Sequence, residues 1–424
     1  MALAEGSGRT FVILGALLGG VAIGAALAVN GSTALASVVA VAEPVGAVWL
    51  DGLRMTIVPL VFALIFTGIA SAAGKVAAGG SAARAMLWFA GLLFLSATYA
   101  VIAGPALLAI WPVPPAAAAA LIGSAPGSAT PIFPPISTWL LSFVPTNPVA
   151  AAAEGSMVPI VVFAVTFGFA AARIPAEATA RLTGFFDAVV QAMLVIIDWV
   201  LWLAPVGVFA LSLVVGSRLG VGAFGVLGQY IAVVCAVEAG LIVLVYPLAM
   251  VAARMPLGRF ARALLPAQLV AISTQSSVGT LPAMVAAAER LGLPDPTVRL
   301  VLPLAVSLFR ITSPAANLAV VVYVAALHGI PLGGVQLVIG VFVAVAVSLA
   351  AVGIPGQTSF VTSIGPICVA MGVPLDVLPL LLAVETIPDI FRTLGNITAD
   401  VAVTAIVGRE AGAAEAVVVR GGRG

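Results

Sequence analysis

The chain has 424 residues, of which 62% are hydrophobic and 8% charged, with a mean hydropathy of +1.26. A soluble domain carries about 25% charged residues, so this is an integral membrane protein rather than a water-soluble one. The net charge of +1 gives no reason for nucleic acid as a partner, and a single histidine (His328) leaves little material for zinc chemistry or Ser–His catalysis.

A short polar lead, residues 1–10, precedes an apolar run too long for a cleaved signal peptide. Apolar runs of spanning length, about 20 residues or more, then occur at 10–30, 50–74, 83–111, 156–172, 182–216, 222–253, 297–328 and 374–408. Several exceed the thickness of a bilayer and imply tilt. Between the third and fourth runs, segment 112–155 is rich in Pro, Ala and Ser and carries one charge, Glu154. It reads as an external loop. Cys235 and Cys368 lie in apolar segments and read as small buried hydrophobes rather than a disulfide or metal site.

Two further segments, 258–291 and 332–371, are apolar but interrupted midway by small polar residues. The first breaks at Ser273-Thr274-Gln275-Ser276-Ser277-Val278-Gly279-Thr280-Leu281-Pro282, the second at Gly353-Ile354-Pro355-Gly356-Gln357-Thr358-Ser359. Each half is too short to span alone. Irregular backbone at membrane depth is tolerated only where it packs in protein or lines a cavity, so both are predicted to be re-entrant helical hairpins. The fold expected is therefore all-α and polytopic, with eight transmembrane helices plus two hairpins.

Basic residues test the map through the positive-inside rule. With a cytoplasmic N-terminus and eight spans, the cytoplasmic segments hold thirteen of the seventeen basic residues, while outside the spans the external loops hold only Arg218. Both termini are predicted to be cytoplasmic, with a tail after Gly408 that frays. Eight plain spans without hairpins would place the loops on the same sides, so charge does not distinguish the two. Arginine outnumbers lysine sixteen to one and alanine is abundant, a composition pointing to a GC-rich bacterial source.

The last apolar stretch carries the most functional information. Glu385, Asp389, Arg392, Asn396 and Asp400 fall within an arc of about 80° on one helix face, with Thr393 beside them. Each charge at the centre of a span costs at least ~2.5 kcal/mol, so this face must line a pathway or a site rather than meet lipid. Read as structural ion pairs, three acids against one arginine do not balance. Read functionally, Arg392 offers a planar fork to a carboxylate. Asp389, about one turn away, suits an ammonium, and Asp400 lies deeper, where oxygen ligands could hold a cation. The pair matches an acidic amino acid.

Ser276, Ser277 and Thr280 serve equally as helix caps or as donors at a half-helix N-terminus aimed at an anion. Arg310 sits mid-span before Thr312, Ser313 and Pro314, about twelve residues from either end, a long reach for snorkelling. Its expected partners are Glu385, Asp389 and Asp400.

Together these elements resemble the glutamate transporter family, the dicarboxylate/amino acid:cation symporters, over residues 12 to 410. The resemblance is carried by Leu53-Arg54-Met55 and Val58-Pro59-Leu60-Val61-Phe62, by Val144-Pro145-Thr146-Asn147-Pro148, and by Ala204-Pro205-Val206-Gly207-Val208-Phe209-Ala210. Gly279-Thr280-Leu281-Pro282 and Gly353-Ile354-Pro355-Gly356 look like its two hairpin tips, the second serving as the extracellular gate. Asp389 through Asp400, reading DIFRTLGNITAD, looks like its eighth-helix motif.

The resemblance implies a homotrimer in a bacterial inner membrane, working as an elevator. Scaffold helices would occupy 1–81 and, after the external loop, 112–220. The transport domain would comprise helix 3 at 82–111 and all of 221–410, with a cytoplasmic tail at 411–424. The substrate would be an acidic amino acid, lined by Ser276, Ser277, Ser313, Ile354, Thr358, Asp389, Arg392, Thr393 and Asn396. Arg392 would hold its side-chain carboxylate and Asp389 its amino group. Asn396 and Asp400 would belong to a sodium site. No cofactor is implied beyond a coupling ion, sodium or proton.

The seventh helix departs from the pattern. Where the family reads asparagine, methionine, aspartate, glycine, threonine, this chain has Phe309, Arg310, Ile311, Thr312 and Ser313. An acid is lost and a cation gained, so Glu385, Asp389 and Asp400 against Arg310 and Arg392 leave a net charge of −1 where the family pattern has −3. The expectation is that Arg310 acts as a tethered cation, that sodium coupling is weakened or absent, and that a proton on Glu385 substitutes.

Three other readings compete. A C4-dicarboxylate carrier gains nothing from an acid at Asp389. An intramembrane enzyme would need a base, and His328 lies at a helix end with no obvious partner. A channel fits two gated hairpins less well than alternating access.

Overall fold

The computed structural model describes residues 2–29, 35–77, 80–114, 144–219, 222–350 and 356–421, and every regular element among them is a helix. Bilayer-spanning backbone must satisfy its own polar groups, which for these apolar segments means helix. The N-terminal part holds α1 (Ala2–Val29), α2 (Leu35–Ala77) and α3 (Gly80–Ile110). Next come α4 (Pro148–Ala153), α5 (Met157–Ala171), α6 (Ala176–Trp202) and α7 (Ala204–Leu219). The C-terminal half contains α8 (Gly222–Ala252), α9 (Leu257–Thr274), α10 (Ser277–Arg290), α11 (Asp295–Leu308) and α12 (Thr312–Leu327). It ends with α13 (Gly334–Ala350), α14 (Gly356–Met371), α15 (Leu378–Val384) and α16 (Thr386–Gly421).

Counting α11 and α12 as one, seven helical segments among the described residues are long and apolar enough to cross a membrane. The chain is thus a polytopic membrane protein. Two expectations need correction in detail. A helix, α4, forms inside the segment 112–155 read as loop, because Asn147 caps it, accepting from Val149 N at 3.0 Å and Ala150 N at 3.1 Å, with Pro148 in the first turn. The tail does not fray after Gly408: helix α16 continues to Gly421 through a stretch rich in Ala and Glu, both good helix formers. The apolar run 182–216 is interrupted at Leu203, two residues before Pro205, which has no N–H to give the Leu201 carbonyl in a continuous helix.

The interrupted segments take the shape their small residues allow. Helices α9 and α10 pack against each other and are joined by Gln275 and Ser276 alone. Gln275 takes a left-handed conformation (φ 49°), and Ser276 caps α10 by accepting from Gly279 N at 3.1 Å. Helices α13 and α14 also pack together, while the linking residues 351–355, and so Gly353, Ile354 and Pro355, lie outside the described residues.

Close packing follows the glycines in one helix pair. Helix α1 lies along α7, and a Cβ on Gly24 would stand 2.1 Å from the Leu213 carbonyl oxygen. Small residues let membrane helices approach in this way. Helix α2 packs on α5, α6 and α7, with Trp49 Nε1 donating to the Val200 carbonyl at 2.7 Å and Phe62, Phe66, Phe163, Phe167 and Phe186 in mutual ring contact. Helix α16 is enclosed by α3, α8, α9, α10, α11 and α12. That surround buries its polar face.

Candidate functional site

The seventh apolar run is broken in its middle. Helix α11 ends at Leu308, Phe309 is extended (φ −113°, ψ 107°), and helix resumes at Thr312. Pro314 cannot donate a backbone hydrogen bond, which favours a break just upstream. Neighbouring elements take up the groups that the break frees. Ser96 of α3 donates to the Ile311 carbonyl at 2.5 Å. Asn396 Oδ1 of α16 accepts from Thr312 N at 3.1 Å and from Thr312 Oγ1 at 2.8 Å. Thr312 Oγ1 also lies 3.0 Å from the Arg392 carbonyl. Phe309 is fully buried and stacks on Phe89 with ring centroids 4.7 Å apart.

The break places Arg310 against α16. Arg310 is half-buried and lies in the electrostatic field of Asp389, Asp400 and Arg392. Asp400 is fully buried, and among the described residues neither of its carboxylate oxygens has a hydrogen-bond donor. Arg310 is the charged group acting on it.

About two turns toward the start of α16, Arg392 is buried in a different set of contacts. Its Nη2 lies 2.7 Å from Glu385 Oε1, its Nε lies 3.4 Å from Glu238 Oε1, and its Nη1 donates to Asn317 Oδ1 at 3.3 Å. Glu385 does not continue the helical face uninterrupted: it caps α15, just ahead of Pro388 in the first turn of α16. Tyr230 of α8 donates to Glu385 Oε2 at 2.8 Å. Asp389 is half-buried, and its backbone N–H is bonded to the Glu385 carbonyl at 2.9 Å.

The remaining expected residues are distributed around this centre. Thr393 is buried and donates to the Asp389 carbonyl at 3.0 Å. Ser313 is buried and accepts from Asn317 Nδ2 at 3.3 Å and from Ser348 Oγ at 3.1 Å. Ser276 and Ser277 are half-buried at the start of α10, on the hairpin that packs against α16. Thr358 lies in the first turn of α14, whereas Ile354 falls outside the described residues.

The sequence reading missed Glu238. It is fully buried and is the sole charged residue of α8. The rule that singles out ionisable residues inside membrane spans applies to it as strongly as to Arg310, but it lacks charged neighbours in sequence. Glu238 changes the charge count. Four carboxylates (Glu238, Glu385, Asp389, Asp400) now face two guanidiniums (Arg310, Arg392), a formal net charge of −2 rather than −1.

His328 also has a partner that the sequence did not show. From its place at the end of α12, its Nε2 lies 3.2 Å from Asp376 Oδ1, in the segment between α14 and α15.

Comparison with known proteins places these features in a context. The family model described as the sodium:dicarboxylate symporter family matches residues 10–410. The proton/sodium-glutamate symport protein of Bacillus subtilis (strain 168) is 26% identical over 384 residues, covering 86% of this chain and 85% of that protein. The proton/glutamate-aspartate symporter of Escherichia coli (strain K12) is 27% identical over 405 residues, or 94% of this chain and 91% of its own. A C4-dicarboxylate transport protein of Aeromonas salmonicida (strain A449) is 27% identical over 378 residues, covering 87% and 86%. The match spans both hairpin segments, the broken seventh helix and the charged last helix. This chain belongs to the sodium:dicarboxylate symporter family.

Proposed function

We propose that the protein is a secondary active symporter of acidic amino acids such as aspartate and glutamate, in a bacterial inner membrane, with both termini cytoplasmic. The observation that carries this reading is the buried Arg392, with Asp389 one turn before it and the serine-bearing start of α10 packed on the same helix. Arg392 supplies the fork for a substrate carboxylate. Asp389 supplies the counter-charge for an ammonium. Thr393, Asn396, Ser276, Ser277 and Ser313 are assigned to the same substrate site, together with Ile354 and Thr358 on the strength of the sequence alone. The relatives' names divide between glutamate or aspartate and C4-dicarboxylates. Asp389 favours the amino acid, because a second acid repels a second substrate carboxylate and attracts an amino group.

Transport follows an elevator motion in a homotrimer. The helices pack in a way that supports two bodies: α1, α2, α5, α6 and α7 on one side, and α3 with α8 to α14 and α16 on the other. Coupling to sodium is weak or absent. Arg310 stands as a tethered cation against Asp389 and Asp400, so a mobile cation at Asn396 and Asp400 has less charge to neutralise. A proton, carried by Glu385, drives uptake.

The experiment is competition in proteoliposomes: labelled L-aspartate uptake against an excess of unlabelled L-glutamate, succinate or L-alanine. L-Glutamate should suppress uptake strongly and succinate weakly. Succinate competing as well as L-glutamate would move the assignment to a C4-dicarboxylate carrier. No uptake of any labelled dicarboxylate would remove the transport reading.

A further inference from the structure

Glu238 does nothing in the substrate scheme above, yet it occupies that scheme's key cation. It is fully buried on α8, a helix with no other charge. Stability does not explain it. A buried ion pair is at best a weak stabiliser relative to apolar packing, and Arg392 already has Glu385 at 2.7 Å.

The three contacts on Arg392 are unequal. Glu385 is held in place from its other side by the Tyr230 hydroxyl, and Asn317 takes Nη1. Neither carboxylate contact has hydrogen-bond geometry, but Glu385 keeps the bond from Tyr230, whereas Glu238 stands off at 3.4 Å from Nε and among the described residues neither of its oxygens has a hydrogen-bond donor. A substrate carboxylate that takes two parallel bonds from a guanidinium needs one whole edge of it. With Nη2 facing Glu385 and Nε facing Glu238, the edge shared by these two nitrogens is engaged.

We propose that Glu238 is a built-in competitor for the substrate carboxylate at Arg392, and that substrate binding displaces it with uptake of a proton from solvent onto Glu238. The balance is simple: the substrate carboxylate takes over the ion pair, and the proton neutralises the glutamate left behind. Other groups around Glu238 offer no replacement cation. Glu385 and Asp389 face it from the α15–α16 segment, and both are acids. Cys235 and Tyr230 share its helix, Tyr323 of α12 meets Tyr230 edge-on, and Tyr99 of α3 approaches α8 at Gly240. Arg310 is engaged with Asp389 and Asp400. A charged glutamate stripped of Arg392 in this apolar surround is costly, so a proton is the available remedy. The inference deepens the proposed function and rests on Arg392 receiving the substrate.

The test is binding of labelled L-aspartate to the purified protein in lipid nanodiscs, wild type against Glu238→Gln, across about pH 5 to 8. Glu238→Gln should bind tighter by about tenfold or more at the alkaline end. The pH slope of its affinity should fall by up to one proton. Binding gained by Glu238→Gln where wild type shows none would support the same conclusion. Unchanged affinity and slope, or weaker binding by a variant that melts like wild type, would overturn it. Failure of both proteins to bind L-aspartate, L-glutamate or succinate would instead remove the functional reading, and this inference with it. Should Glu238→Gln not fold, calorimetry of wild type in two buffers of different ionisation enthalpy decides. About one proton taken up per L-aspartate that persists in Glu385→Gln supports the proposal, and none overturns it.

Discussion

Arg392 meets Glu385, Glu238 and Asn317, and its removal should be felt twice. Arg392→Ala strands Glu238 and Glu385 in the interior, and breaking a buried pair from one side costs about 3–5 kcal/mol. The variant should melt well below wild type and bind no L-aspartate, as thermal unfolding and binding would show. Arg310→Met tests the tethered cation. It returns the charge to Asp389 and Asp400, so sodium should stimulate L-aspartate binding more in the variant than in wild type. Equal stimulation would count against a tethered cation. A third prediction concerns His328, beyond the end of its span. Burial disfavours its charged form, but the hydrogen bond and charge of Asp376 outweigh that and raise its pKa. Burial likewise raises Asp376, and His328 overcomes this to lower it. The pair's contribution is thus complete below the ordinary histidine value of about 6.5 and fades as pH rises through the raised one. On the acid side it is complete above the ordinary aspartate value of about 3.9 and is lost as pH falls through the lowered one. Melting temperature should therefore drop as pH rises from about 6.5 through the raised histidine value, and His328→Ala should flatten that drop.

The broken seventh helix shows how one local irregularity is shared among several elements. Its free backbone groups are met by Ser96 from α3 and Asn396 from α16, so the break holds only where these helices meet closely. Gly395 sets the approach of α16: a Cβ there would stand 2.3 Å from Thr312 Cγ2 and 3.1 Å from Ile242 Cγ1. Thr312 cannot swing aside without giving up its hydroxyl bonds to α16. Gly395→Ala should cost about 1–3 kcal/mol by overpacking, read as a lower melting temperature. Gly91→Ala, on α3 with open space around it, should be neutral or slightly stabilising and serves as the control. The break itself was foreshadowed by Pro314, and the first hairpin by the serines around Gln275. Glu238 was not legible in the same way. Sequence patterns reveal several charges on one helix face, as at 385–400, but a lone acid on α8 gains meaning only when α8 is seen packed along α16.

For the molecule as a whole, seven of the eight apolar runs coincide with helices long and apolar enough to cross a membrane, because burial in lipid demands such helices, whereas the run 156–172 forms the 15-residue α5. Hydropathy did not predict the helix α4 in the loop or the extension of α16 to Gly421, since neither depends on apolar character. Charge counting along the chain likewise gave −1 for the centre, and three-dimensional packing made it −2 by adding Glu238. Most of the candidate site could be named from the last helix and the hairpin serines. What could not be named was which partners Arg392 already has. The protein is proposed to be a carrier of acidic amino acids driven by protons, with a fixed arginine lessening its need for sodium. The most direct measurement is uptake of labelled L-aspartate into proteoliposomes with a proton gradient and a sodium gradient imposed separately. A proton-driven carrier should show concentrative uptake under an inward proton gradient and little effect of sodium. Uptake that follows the sodium gradient steeply and ignores the proton gradient would contradict it.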